Sequence, residues 1–543
     1  MDKRLYMWWW IWYVSLVAAL SPFEEFGFGL EAQNLTVRSD EYGEGMAKSS
    51  GILNPDNIYE WTPIAGNISV GERNVFVFTV NMNSTGTGFL PTYEILIFLS
   101  GNICQQPNDI GDRVLRVSYS FNESVTTNSS VGQHTTFQDG YMQALAVSPL
   151  TVSDSNATAE YSYLYVVVEP VDSKTNLPLT ADADPSDDIW EYKLSISEND
   201  LVYQWDTRPW LDVLDTDYNS ALLATGNVTA DAQQFSNYSI YDISLYDLYV
   251  YSFEDSLKLA SNLNISLCAV TSGPYLVSSV DSNQTKGEDH QLEETDLRIG
   301  KSLTNRRGTV QEQFYITGLN SSSTYVAYLT KKIGKKGNLS DVGGVLFSKQ
   351  LFTTRDSNSC SLIFGLNFCY GVAYSVPSPS IAPNNKTSIA GTYDHIAESL
   401  YANFSKALQI IACDSELDAR YSPIRSCKDC ATSYRNWLCG VTIPRCTNTK
   451  SEYYVHRDEG ENRNDYLDDY LTPIDDYYEI LPCIDMCYAI ARDCPSDFGF
   501  SCPSMDEKKI GPQSSYSFFN PDYPLDTCNF IGNSTELYTN LNI

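Results

Sequence analysis

Histidine is nearly missing from this chain: there are four in 543 residues, His134, His290, His395 and His456. They are widely spaced, with no HExxH pair and no GxSxG elbow. The chain is therefore read as non-catalytic, since hydrolase chemistry of either kind needs such groups assembled. Positive charge is scarce too. Lys and Arg number 35 against 68 Asp and Glu, a net charge of −33, which excludes a basic face for nucleic acid. Solubility accounts for most of that charge, with attraction of cations as the other reading. After residue 20 no apolar run is long enough to span a bilayer or line a pore. The C-terminal IGNSTELYTNLNI lacks the hydrophobic tail of a lipid-anchor signal.

One apolar run is present at the start. Lys3 and Arg4 precede LYMWWWIWYVSLVAAL, sixteen uncharged residues from Leu5 to Leu20, short of the ~20 a spanning helix needs. Residues 1–20 are read as a secretory signal peptide, with Val17 and Ala19 flanking a cut. A retained signal anchor is the alternative, because four tryptophans make the run bulky. Glycosylation sequons point the same way. Asn34, Asn67, Asn83, Asn122, Asn128, Asn156, Asn227, Asn237, Asn264, Asn283, Asn320, Asn338, Asn385, Asn403 and Asn533 each open an N-x-S/T triplet without proline. N-glycans are expected over most of the surface. In an oxidising compartment the fourteen cysteines are expected as disulfides. Zinc is disfavoured, since no His stands at ligand spacing, and neither a metal nor a cofactor is expected.

The organisation expected is multidomain: two N-terminal all-β sandwich-like domains followed by a disulfide-rich, mainly helical, cysteine-rich domain. After a flexible segment, 21–50, the region 51–199 holds NVFVFTV, YEILIFLSG, RVLRVSYSF, YLYVVVEPV and EYKLSIS. Their period-two alternation suggests an antiparallel sandwich. A second β domain, 200–356, contains FYITGLNSSSTYVAYL, in which Leu319 stands six residues before Tyr325. That spacing resembles the tyrosine corner of fibronectin type III domains, where the Tyr hydroxyl bonds back to the preceding turn. Twelve of the fourteen cysteines lie between Cys360 and Cys528, inside a region 357–530, and 531–543 is read as a tail. Pairing of Cys104 and Cys268 is left open.

Periodicity turns helical in the cysteine-rich region. From Asp394 a stripe of Ile396, Leu400, Phe404, Ala407, Leu408 and Ile411 recurs at three- and four-residue steps. Asn403 falls at its edge, so a glycan there limits burial. In ILPCIDMCYAIARDCPSDFGFSCP, Cys483, Cys487, Ile490 and Cys494 share one helical face between Pro482 and Pro495. Cysteines pointing the same way are poorly placed to pair together, so each is expected to tie the helix to a different segment.

Other motifs are weaker. DADPSDD from Asp182 and DTDYNS from Asp215 lack the Gly and the final acid of a calcium loop and are read as acidic surface turns. Cys427 and Cys430 form CKDC, read as a local bridge or as two thiols pairing elsewhere. The segment Asp458 to Glu479 carries nine acids against one base, Arg463. It is either a solvated loop or a local negative field that concentrates cations near a neighbouring protein.

WLCGVTIPRC and LPCIDMCYAIARDCPSDFGFSCP resemble the cysteine-rich domain of Frizzled receptors. That resemblance implies the bridges Cys360–Cys446, Cys369–Cys439, Cys413–Cys494, Cys483–Cys528 and Cys487–Cys502, with Cys427 and Cys430 an extra pair in an insertion. IYEWTPI, SGNICQ, FQDGYMQALAVSP, WEYKLSISENDL, STYVAYLTKK and HRDEGENRNDYLDDY extend a second resemblance over nearly the whole chain. By them the chain is identified as a member of the fungal stretch-activated, high-affinity calcium channel regulatory subunits, the mating-pheromone-induced-death family. The resemblance implies a protein of the outer face of the plasma membrane, reached through the endoplasmic reticulum. It is held there by a pore-forming four-repeat calcium channel alpha subunit, with which it supports calcium influx. Partner contact is expected around Trp437 to Cys446 and Asp458 to Cys494, with Trp437, Asp465, Asp468, Asp469, Asp475 and Asp476 as candidates. The alternative is an independent surface or wall receptor that uses the cysteine-rich domain for a lipid or glycan.

Overall fold

Alternation of apolar and polar residues builds most of this molecule. The computed structural model describes residues 55–539 apart from 82–91, 108–109, 152–160, 181–188, 229–244, 261, 281–295, 307–308, 334–342, 381–384, 412–420, 504–514 and 532–533. Along Thr92–Gln105, Ile95, Ile97 and Leu99 are buried while Glu94 and Leu96 face out. Trp190, Tyr192, Leu194 and Ile196 do the same along Ile189–Ser197. These strands belong to a four-stranded sheet in the order Ile64–Ser69, Ile189–Ser197, Thr92–Gln105, Tyr141–Thr151. Its buried face shares one core with Phe76, Phe78, Leu115, Val117, Leu164, Val166 and Val168 of a five-stranded sheet. All pairings in the two sheets are antiparallel except the short edge strand Asp56–Ile58, which runs parallel to Asn74–Thr79.

A second pair of sheets follows. Tyr246–Ser252, Thr324–Lys332 and Gly344–Phe347 centre one, and Leu211–Thr216, Ala221–Thr225, Thr309–Thr317 and Arg298–Arg306 form most of the other. Leu248, Val250, Ala327 and Leu329 meet Leu223, Phe314 and Ile316 in a common core. Tyr325 is buried and its hydroxyl accepts the backbone N–H of Asn320 at 2.8 Å, the corner bond its spacing predicts. The stretch 531–543, read as a tail, contains the strand Ser534–Thr539, paired with Arg298–Arg306.

Two short helices join the β layers: α1, Phe253–Ala260, and α2, Leu267–Ser272. Ser266 caps α2 and its hydroxyl also donates to the Ile103 carbonyl at 2.6 Å. Asn102 accepts the Leu267 N–H at 2.9 Å, and Cys104 is disulfide-bonded to Cys268. The two cysteines left open by the sequence thus lock the first β layers to the second.

Beyond residue 357 three helices dominate: α3, Lys386–Leu408; α4, Cys427–Thr442; and α5, Ile484–Asp493. Helix α3 begins well ahead of Asp394, and Leu400 is exposed although Ile396 and Phe404 are buried. Two small sheets, Cys360–Ile363 with Tyr374–Pro377, and Arg445–Thr447, Tyr477–Ile480 and Tyr454–Arg457, complete this region. No described helix is long and apolar enough to cross a membrane.

The bridges are Cys360–Cys446, Cys369–Cys439, Cys430–Cys494, Cys483–Cys528 and Cys487–Cys502. One expectation is corrected: Cys494 is held by Cys430, not by Cys413. Cys430 lies fully buried on the first turn of α4, with its Cα 4.5 Å from that of Cys494. Ser433, one turn on, donates to Asp493 at 2.5 Å, so α4 and the end of α5 are in direct contact. The CKDC pair is accordingly no local bridge. Cys427 is also disulfide-bonded, and Cys413 lies outside the described residues.

A second correction concerns DTDYNS. Asp215 and Asp217 are not surface acids; Asp217 is 0% exposed. One Asp217 oxygen accepts the N–H groups of Asn219 and Ser220 at 3.0 and 2.7 Å. The other accepts the Leu362 N–H at 2.8 Å and the Lys386 ammonium at 2.7 Å. Asp215 accepts from Arg355 at 2.7 Å and from the Ser375 N–H at 2.9 Å. These two side chains join the second β layers to the cysteine-rich region, beside Tyr315 packed on Phe364. DADPSDD lies outside the described residues.

Burial alone would raise the Asp217 carboxyl, but the Lys386 charge and the donated N–H groups outweigh it and hold it below the ordinary value. Asp217→Ala, which strands a buried ammonium, is expected to cost about 3–5 kcal/mol, read from denaturant unfolding. A lowered folded pKa means stability present above the unfolded pKa and lost as pH falls through the folded one. The gap between wild type and Asp217→Asn is therefore full above about pH 4 and closes below it. Non-reducing peptide mapping is expected to yield a Cys430–Cys494 peptide; a Cys413–Cys494 peptide contradicts the fold.

Candidate functional site

The acidic segment from Asp458 to Glu479 is a pinned structure with a charged surface. It leaves the strand Tyr454–Arg457 and returns through Tyr477–Ile480, its antiparallel neighbour. Glu479 is 0% exposed and is gripped from two sides. Arg457 approaches one oxygen at 2.8 Å and Arg463 the other at 2.6 Å. Arg463 also donates to the Ser515 carbonyl at 2.6 Å, and Arg457 to Glu461 at 2.9 Å. Leu467 and Leu471 turn inward into the core formed with α3 and α5. Asn462 donates to the Leu471 carbonyl at 2.6 Å, and Asn464 to Val441 at the end of α4 at 3.0 Å.

The other eight acids of the segment are exposed. Asp465, Asp468, Asp469, Asp475 and Asp476 are therefore brought onto one short, held stretch of chain, with Tyr466 and Tyr470 exposed among them. The Asp476 carboxyl is lowered, first by its hydrogen bond from His456 at 3.1 Å. At Glu461 burial would raise the carboxyl, but the Arg457 hydrogen bond and charge bring it below the ordinary value. Both stay ionised at neutral pH, so the segment presents fixed negative charge. Among the described residues no group of three or more His, Cys, Asp or Glu is arranged to hold a metal ion.

Trp437 is half-buried on α4. Its indole N–H donates to the Tyr516 hydroxyl at 2.7 Å, and its ring packs on Tyr434. It belongs to an aromatic layer of Tyr401, Phe404, Tyr434 and Phe500 beside the Cys430–Cys494 bridge. Sequence reasoning passed over Tyr466, Tyr470 and the Arg457–Glu479–Arg463 clamp. The clamp had a signal, since Glu479 stands two residues after Tyr477 and so on the same face of its strand, and a buried acid needs cations.

Of the sequon residues, Asn67, Asn122, Asn128, Asn227, Asn320, Asn385 and Asn403 are exposed and Asn264 is half-buried. Asn34, Asn83, Asn156, Asn237, Asn283, Asn338 and Asn533 lie outside the described residues.

The family model Mid1, described as a stretch-activated Ca2+-permeable channel component, matches residues 96–534, from the first β layers through the acidic segment and its bridges. The chain belongs to this family. It is 60% identical over 488 residues to the stretch-activated cation channel MID1 of Saccharomyces cerevisiae, covering 89% of this chain and 88% of that one. It is 29% identical over 452 residues to the stretch-activated cation channel yam8 of Schizosaccharomyces pombe, covering 83% and 81%. A Cryptococcus neoformans protein named stretch-activated cation channel MID1 is 26% identical over 358 residues, with 57% of this chain and 54% of that one covered. As a Mid1-family member, the chain is a channel component, and the named relatives are channels, not enzymes.

The clamp makes a sharp prediction. Glu479→Ala leaves the Arg463 guanidinium without its carboxylate and Arg457 with Glu461 alone, and is expected to cost about 3–5 kcal/mol. Amide hydrogen exchange is expected to rise across 458–479 before it rises in the β layers. Unchanged exchange in that segment would show that the clamp does not hold it.

Proposed function

We propose that this Mid1-family chain is a non-catalytic, extracellular regulatory subunit of a plasma-membrane calcium channel. It acts with a separate pore-forming, four-repeat alpha subunit. In this reading it travels through the endoplasmic reticulum, carries N-glycans, and stays at the membrane through that partner. Its two β domains, 51–199 and 200–356, carry a Frizzled-like cysteine-rich domain, 357–530.

The observation that carries the reading is the pinned acidic segment on a disulfide-held body, within a match to a family described as a channel component. A surface already rigid loses little conformational freedom on docking. Fixed carboxylates also speed encounter with a cationic surface and raise cation concentration around a pore entrance. Asp465, Asp468, Asp469, Asp475 and Asp476 are the residues assigned to that role, with Trp437 on α4 as a further partner contact.

Affinity purification from native membranes is expected to recover a multi-pass channel, with crosslinks to it concentrated between Cys360 and Cys528. Replacing Asp468, Asp469, Asp475 and Asp476 by Asn is expected to slow association about tenfold at low salt, and less at high salt. Absence of a multi-pass partner, together with calcium influx that survives deletion, would return the chain to the class of independent surface receptors. Crosslinks confined to the β layers would overturn the docking site alone.

A further inference from the structure

The outer face of α3 bears a groove of about 590 Å³ between the helix and Tyr470. Its helix wall is Ser388, Gly391, Thr392, His395, Ile396 and Ser399, which recur at three- and four-residue steps and so lie in one stripe. The stripe continues past the groove at both ends. Asn385 stands three residues before Ser388 and Asn403 four after Ser399, both exposed and both opening sequons. They are eighteen residues apart, about five turns or ~27 Å of helix, and so lie on the same side.

Asn385 is held in a particular way. Its Oδ1 accepts the Ser388 N–H at 2.9 Å as the cap of α3, which leaves Nδ2, the atom that carries an N-glycan, outside the cap. Lys386, next to it, is fixed to Asp217 in the junction. The attachment point is thus anchored three residues before Ser388, the first residue of the groove wall.

The lining is hydroxyl-rich. Thr392 and Ser399 donate their hydroxyls to the carbonyls of Ser388 and Ile396 at 2.9 and 2.7 Å, so their oxygens remain to accept from a ligand. Gly391 leaves the floor open, with no atom within 4 Å of where a side chain would stand. Tyr470, 61% exposed, supplies a flat aromatic wall. Hydroxyl acceptors beside an aromatic face suit a pyranose, which has hydroxyls on its rim and C–H groups on its faces. The lining holds no Lys or Arg for an anion, and its one aliphatic side chain, Ile396, is buried.

We propose that this groove seats the first sugars of an N-glycan on Asn385. The proposal rests on the secretory reading of the sequons. With that glycan in the groove and a second at Asn403, this face of α3 is closed to a protein partner, and docking falls to the acidic segment beyond Tyr470.

The test uses full-length protein purified from its native host. Glycopeptide mass spectrometry is expected to find Asn385 occupied. Under native conditions its glycan is expected to be released by endoglycosidase about tenfold more slowly than the one on Asn320. Tyr470→Ala and Gly391→Trp, which remove the wall and fill the floor, are expected to abolish that difference. Thr387→Ala destroys the sequon but keeps the Asn385 cap, and is expected to open the groove to added chitobiose. Equal release in the wild type, or an unmodified Asn385 beside other occupied sequons, overturns the seat while sparing the secretory reading. No occupied sequon anywhere overturns both. Chitobiose binding to the wild type overturns the assignment in favour of an external saccharide.

Discussion

A carboxylate with no access to water, Asp217, faces a nearly buried ammonium, Lys386, and the arrangement of the chain after residue 210 depends on that pair. Neither charge is tolerable alone in such a place. Asp217 is also bonded to its own turn, to the first strand of the cysteine-rich region and to the first residue of α3. One side chain therefore fixes three segments. Pairs of this kind are weak sources of net stability, because desolvation consumes most of the attraction. Their effect is positional: any other seating of α3 would leave an uncompensated charge.

From that point the cysteine-rich region is built outward by covalent links. Cys360–Cys446 and Cys369–Cys439 tie its first strand and following loop to the end of α4 and the strand after it. Cys430–Cys494 joins α4 to the end of α5, while Cys483 and Cys487 send α5 to two later segments. The Glu479 clamp performs for the acidic segment what the bridges perform for the helices. Charged residues there serve two purposes: one buried acid and two arginines hold the backbone, and the exposed acids are carried on it.

Local pattern was readable in the sequence, and distant partnership was not. Alternation marks Ile95, Ile97 and Leu99 as inward-facing, Leu319 and Tyr325 announce their corner, and Pro482 and Pro495 bracket α5. Each depends on neighbours within a few residues. Asp215 and Asp217 were misread as surface acids because their partners, Arg355 and Lys386, lie more than a hundred residues away. Cys413 was misassigned for a related reason. Helical phase shows which way Cys494 points but not which of several nearby cysteines α4 brings to meet it. The acidic segment was recognised by composition, yet composition does not distinguish the one buried acid from the exposed ones.

The link between Cys104 and Cys268 closes a loop of 164 residues. In a family whose members are described by their response to stretch, that number has a mechanical meaning. At ~3.3–3.6 Å per extended residue, the loop stores more than about 500 Å of contour length that a pull on the chain cannot release while the bond is intact. A pull applied to the chain on either side of that loop would be carried by the Cys104–Cys268 bond, past the strands that the loop encloses.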